Sequence, residues 1–167
     1  VYGDTKDLPM RESSLPCPVS PYGVSKLAAE HLSCLYHRNF AIPVVSLRYF
    51  TVYGARQRPD MAFHRFLRWA LEGSALQIYG DGRQSRDFTH VDDIVEANWL
   101  ALEKGLPGEV FNIGGGSRVT LNEVVEMIKT MVGRELEVHY EDVQKGDVRH
   151  TFADMTKAET KLGYTPK

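Results

Sequence analysis

The chain has 167 residues, with 20 Lys and Arg against 22 Asp and Glu, giving a formal net charge of −2; this is enough for one domain with a sizeable core. A near-neutral balance without a basic run excludes a general binder of nucleic acid or anionic membrane, and no apolar run approaches spanning length. Cys17 and Cys34 form no CxxC pair and the His residues are dispersed, so the chain reads as a reduced, cytoplasmic polypeptide with free thiols and no metal site.

In chain order, Val1-Tyr2-Gly3-Asp4 has no initiator Met and reads like a strand end entering a loop, the mark expected of a piece of something longer. Residues 5–20, rich in Pro, Ser and charge, read as a loop. Val24, Leu27, Ala28, Leu32 and Leu35 recur at helical spacing and predict a helix from Pro21 to about Phe40, with Pro21 suited to its first turn. The β-branched run within Pro43 to Phe50 predicts a buried strand, and a loop with Gly54 and Pro59 follows. A helix from Met61 to Glu72 ends at Gly73. A strand from Ala75 to Tyr79 stops at Gly80-Asp81-Gly82. Asp92 or Asp93 is expected to cap a helix running to Lys104, and a strand from Glu109 to Ile113 closes on Gly114-Gly115-Gly116. Thr120 and Glu123 make a capping box for a helix with Val124, Val125, Ile128 and Met131 on one face. A strand from Leu136 to Tyr140 and a short helix capped by Asp154 complete the chain. Trp69 and Trp99 are expected in the core, and His31, His64 and His90 as satisfied polar groups. Alternating strands and helices argue an α/β architecture with parallel pairing.

Tyr22-Gly-Val-Ser-Lys26 places a phenol and an ammonium four residues apart, on one helix face. A free tyrosine ionises near pH ~10, and a fixed positive charge beside a phenol favours the phenolate. The pair therefore reads as an acid–base unit. As a bare pattern it also describes an exposed Tyr beside a solvated Lys.

Four separated blocks add specificity: Tyr22-Gly-Val-Ser-Lys26, Leu47-Arg-Tyr-Phe-Thr-Val-Tyr-Gly54, Tyr79-Gly-Asp-Gly-Arg-Gln-Ser-Arg-Asp-Phe88 with Thr89-His-Val-Asp-Asp93, and Phe111-Asn-Ile-Gly114. In order and separation they resemble the extended short-chain dehydrogenase/reductase family, in its nucleotide-sugar epimerase/dehydratase branch. The resemblance implies the C-terminal part of a Rossmann-like doubly wound sheet plus a smaller α/β substrate-binding domain. Residues 1–54 would carry the end of the NAD-binding domain with the catalytic helix. Residues 55–167 would mainly bind the nucleotide-sugar, with 84–113 returning partly to the first sheet. The family's N-terminal glycine-rich turn has no counterpart here, because Gly114–Gly116 lacks the G-x-G-x-x-G spacing and reads as a turn.

The resemblance also implies roles. Tyr22 would be the base at the sugar 4-hydroxyl while hydride passes to NAD, and Lys26 would bind the nicotinamide ribose. Tyr49, Phe50 and Val52 would complete the cofactor contacts. Thr51 would face the sugar or diphosphate, Gln77, Ile78 and Tyr79 the uracil, Arg86 the diphosphate and Asp147 the nucleotide ribose, with Lys145 or Arg149 as a second phosphate contact. The flavour resembles UDP-sugar 4-epimerases acting through a 4-keto intermediate, most closely on UDP-glucuronate, with UDP-glucose as the other sugar. A 4,6-dehydratase, a UDP-glucuronate decarboxylase and a non-catalytic NAD(H)-sensing protein are the alternatives. A homodimer paired through the catalytic helix is implied, as is little or no activity for this fragment alone.

Overall fold

A computed structural model describes residues 1–167, and its element order is α/β throughout. Helix α1 (Pro21–Phe40) starts where Ser20 Oγ accepts from the Gly23 N–H at 3.1 Å, and ends at Ala41 with φ 54. Then come β1 (Ser46–Tyr49), β2 (Thr51–Tyr53), α2 (Ala62–Glu72), β3 (Leu76–Tyr79) and β4 (Ser85–His90). The remainder is α3 (Val91–Lys104), β5 (Val110–Ile113), β6 (Arg118–Thr120), α4 (Leu121–Val132), β7 (Val138–Glu141) and α5 (Thr156–Leu162). The Thr120–Glu123 capping box is fully formed at the start of α4. No helix is long and apolar enough to cross a membrane.

The strands pair β1 with β5, β2 with β4 and β3 with β7, all parallel, and β4 with β6 antiparallel. Two cores support them. In one, Phe111 and Ile113 of β5 pack with Ile94, Ala97 and Ala101 of α3 and with residues 153–164. In the other, Phe66 and Ala70 of α2 and Val124, Val125 and Ile128 of α4 cover Leu76 and Ile78 of β3.

Four expectations need correction. The cap of α3 is His90, whose ring nitrogen accepts from the Asp92 N–H, while Asp92 and Asp93 fall inside the first turn. Trp99 is 60% exposed and Met131 79% exposed, so neither belongs to a core. Trp99 lies across α3 from the stripe of Ile94, Ala97 and Ala101, on the outer face, and Met131 lies in the last turn of α4, past the buried Val124, Val125 and Ile128. Strands β2, β4 and β6 also occupy stretches that read as loop or carried no predicted element. Finally, the residue immediately before α5 is Met155, but Asp154 Oδ1 does accept from the Thr156 N–H at 3.0 Å, so its carboxylate still serves the helix start.

Candidate active site

Residues 46–53 are one extended run that changes partner at Phe50, whose N–H still donates to the Ile113 carbonyl at 3.0 Å. Before it the chain follows β5, and after it β4. A change of neighbour in a parallel sheet opens a crevice at the carboxyl ends of the strands. A cavity of about 820 Å³ lies there, walled by residues 48–58, by Tyr22 of α1, and by Val148 and Thr151 of the segment before α5. Gly54, with φ 142, is required in that wall, since a Cβ on it would stand 2.6 Å from Val91 Cγ1.

Tyr22 faces the cavity and is 71% exposed, and Lys26 Nζ lies 5.4 Å from its ring centroid. Lys26 forms no ion pair with any carboxylate. Thr51 stands half-buried on the cavity wall. Phe50 and Val52 line the same cavity with their backs to the first core. Tyr49 also lines it, and its phenol donates to Asn98 Oδ1 of α3 at 2.8 Å.

Arg86, Asp147 and Arg149 gather in a cluster of alternating charge. The Arg86 guanidinium donates to Asp147 Oδ1 at 2.6 Å and to the Ser85 carbonyl at 3.0 Å. Arg149 grips both oxygens of Asp81 at 2.8 Å, and this bond holds the Asp81 carboxyl down to about 2. Val148, between Asp147 and Arg149, faces the cavity, so the cluster flanks it. Gln77, Ile78 and Tyr79 lie apart on β3: none lines the cavity, and the Ile78 side chain is buried in the second core. Gln77 and Tyr79 are exposed, and Lys145 is exposed without an ion pair.

Two groups escaped sequence reasoning. Arg48, inside a quoted block but without a role, forms a bidentate pair with Glu30 at 2.7 and 2.8 Å and donates to Tyr2 Oη at 2.6 Å. Asp87, fully buried, accepts from the N–H groups of Gly115 at 2.6 Å and Ala153 at 3.0 Å. The available signal for Asp87 was the period-two alternation that puts it on one strand face with the small polar residues Ser85 and Thr89.

Arg48, chiefly through its hydrogen bonds, lowers the Glu30 carboxyl below its ordinary range. A depressed carboxylate stabilises the fold above its unfolded value, near pH ~4.3, and that contribution is lost as pH falls through the folded value. The stability difference between wild type and Glu30→Gln, from denaturant melts, is therefore expected to be constant above about pH 6 and to shrink in acid. A difference that grows in acid contradicts this.

A model of the NAD dependent epimerase/dehydratase family matches residues 1–114. A Bacillus subtilis protein described as an uncharacterized UDP-glucose epimerase, YtcB, is 46% identical over 99% of this chain and 52% of its own length. UDP-glucuronic acid 4-epimerase from Bacillus cereus, crystallised with UDP-glucuronic acid and NAD, superposes with a TM-score of 0.97 at 47% identity, over 100% of this chain and 54% of that one. The dTDP-glucose 4,6-dehydratase DesIV from Streptomyces venezuelae, with NAD and TYD bound, gives a TM-score of 0.95 at 33% identity, over 100% and 52%. The chain spans about half the length of the curated relatives it matches.

Proposed function

The chain belongs to the NAD dependent epimerase/dehydratase family, and from that premise we propose that it carries the catalytic base and the nucleotide-sugar side of an enzyme inverting C4 of a UDP-sugar, with UDP-glucuronate as the sugar. The observation that carries the reading is the Tyr22–Lys26 pair at the edge of a cavity large enough for a sugar nucleotide.

The residues present fit the nicotinamide end of NAD. Lys26 offers an ammonium without a carboxylate partner, and Tyr49, Phe50 and Val52 line the cavity next to Tyr22. They do not fit the pyrophosphate. The Gly115 N–H is already committed to Asp87, and a Cβ there would stand 2.0 Å from the Phe88 carbonyl oxygen, so this glycine turn serves close packing. We assign the pyrophosphate to a glycine-rich turn outside residues 1–167.

NAD, when bound, supplies the acceptor and donor of hydride at C4. Tyr22 takes the proton of the C4 hydroxyl and later returns it to the C4 oxygen, after the 4-keto sugar has turned so that the hydride re-enters on the opposite face of C4. Lys26 places its ammonium 5.4 Å from the Tyr22 ring centroid, beside the group that carries the proton. Thr51 donates to or accepts from the sugar, and Arg86 exchanges Asp147 for diphosphate oxygens, a match for a guanidinium. The uracil is assigned to the exposed edge of β3 at Gln77–Tyr79, with Arg149 near the diphosphate. Exposed Leu32, Leu35, Tyr36 and Phe40 along α1 support pairing of two copies through this helix.

NMR of the whole protein with NAD and UDP-glucuronate, then UDP-glucose, tests the reading, with the 167-residue chain run in parallel. Inversion at C4 by the whole protein without net NADH, and none by the chain alone, is expected. Loss of water or carbon dioxide moves the enzyme to a neighbouring reaction, and no change with either sugar overturns the proposal.

A further inference from the structure

Helix α1 carries Tyr22 and Lys26, yet Gly23 is its only buried residue. It is therefore a lever whose placement depends on a few fixed points. At one end Gly23 sits under Pro18, where a Cβ would approach Pro18 Cβ to 2.9 Å. At the other, His37 Nδ1 lies 2.9 Å from the Ile42 carbonyl. Between them is the Glu30–Arg48 pair, its side chains 12% and 9% exposed.

Glu30 continues the series Tyr22, Lys26. Steps of four residues advance about 40° around a helix, so the three share a face. Arg48 in turn is fixed from behind. Its guanidinium donates to Tyr2 Oη at 2.6 Å, and Tyr2 Oη donates to Asn112 Oδ1 at 2.6 Å. Asn112 is fully buried, lies opposite Arg48 in the β1–β5 register, and donates through Nδ2 to the Met10 carbonyl at 2.8 Å. Arg48 and Tyr2 also line the cavity that Tyr22 faces.

We propose that the Glu30–Arg48 pair is the positioning element of the base: it fixes the height and rotation of α1 over the cavity and so the reach of Tyr22. This rests on the reading of Tyr22 as the base. A bidentate pair fixes orientation as well as distance. A buried pair is often no more stabilising than apolar residues of the same volume, so what it adds is geometry. Misplacement of a reacting group by about 1 Å can lower turnover ~10²-fold.

The test replaces both partners in the whole protein, Glu30→Met with Arg48→Met, which removes the charges without stranding one of them. The expected result is a folded, NAD-binding protein with kcat at least about tenfold lower and KM for the UDP-sugar within about twofold of wild type. Wild-type kcat in the folded double variant overturns the proposal, as does a rise in KM with kcat unchanged. Should that variant fail to fold, Arg48→Lys keeps the charge and loses the bidentate grip. It is expected to lower kcat in the same direction with KM held, and wild-type kcat there overturns the proposal. Tyr22→Phe is the control. An inactive Tyr22→Phe beside a normal double variant refutes the positioning role alone, whereas an active Tyr22→Phe refutes the base itself.

Discussion

Tyr22→Phe in the whole protein is expected to lower kcat by about 10²–10⁴-fold, the range a positioned acid–base group contributes. The substitution removes one oxygen from a ring that is 71% exposed and whose hydroxyl has no partner within the chain. Nothing in the fold depends on that oxygen. Melting is therefore expected to stay within about 0.5 kcal/mol of wild type, and UDP-sugar affinity, measured by calorimetry with NAD present, to change little. A protein that binds as before and does not turn over has lost only the proton transfer. Turnover within a few-fold of wild type would remove Tyr22 from the chemistry and leave the pair with Lys26 as a surface cation–π contact.

That pair was legible in the sequence because four-residue spacing on a helix is a local property, and the helix around it announces itself by Pro21 and apolar recurrence up to Phe40. The same locality made the Thr120–Glu123 box readable. Strand β4 was invisible for a physical reason. Its inward residues are Ser85, Asp87 and Thr89, buried alternately with half-buried Arg86, Phe88 and His90, so polarity runs opposite to the usual apolar-in pattern. Strands β2 and β6, three residues each, are too short to show a period. The wall of the cavity was half legible: Thr51 came from a motif, but the link from Glu30 to Arg48 spans 18 positions and exists only through tertiary packing. The interest of β4 is that its anomaly is functional in the architectural sense. Arg86 points to the ionic cluster beside the cavity while Asp87 points inward and ties three segments together.

Asp87→Ala is accordingly the stability prediction with the largest effect. Its carboxylate has no cationic partner and instead satisfies the N–H groups of Gly115 and Ala153, joining β4 to the turn after β5 and to the segment leading into α5. Truncation leaves two buried donors without an acceptor, each costing about 1–3 kcal/mol, so a loss of about 2–6 kcal/mol is expected in denaturant melts. Asp87→Asn keeps one acceptor and sets its NH₂ against the other N–H, and is expected to cost less. Burial raises the Asp87 carboxyl above its ordinary value, against the pull of the two N–H bonds. A raised folded value means the fold holds the proton more tightly than the unfolded chain. That contribution is complete below the unfolded value, near pH ~3.9, and is lost as pH rises through the folded one. The deficit of Asp87→Asn relative to wild type should therefore be largest in acid and narrow toward neutrality. A deficit that widens toward neutrality would mean the two N–H bonds outweigh burial and the carboxylate is stabilised as an anion.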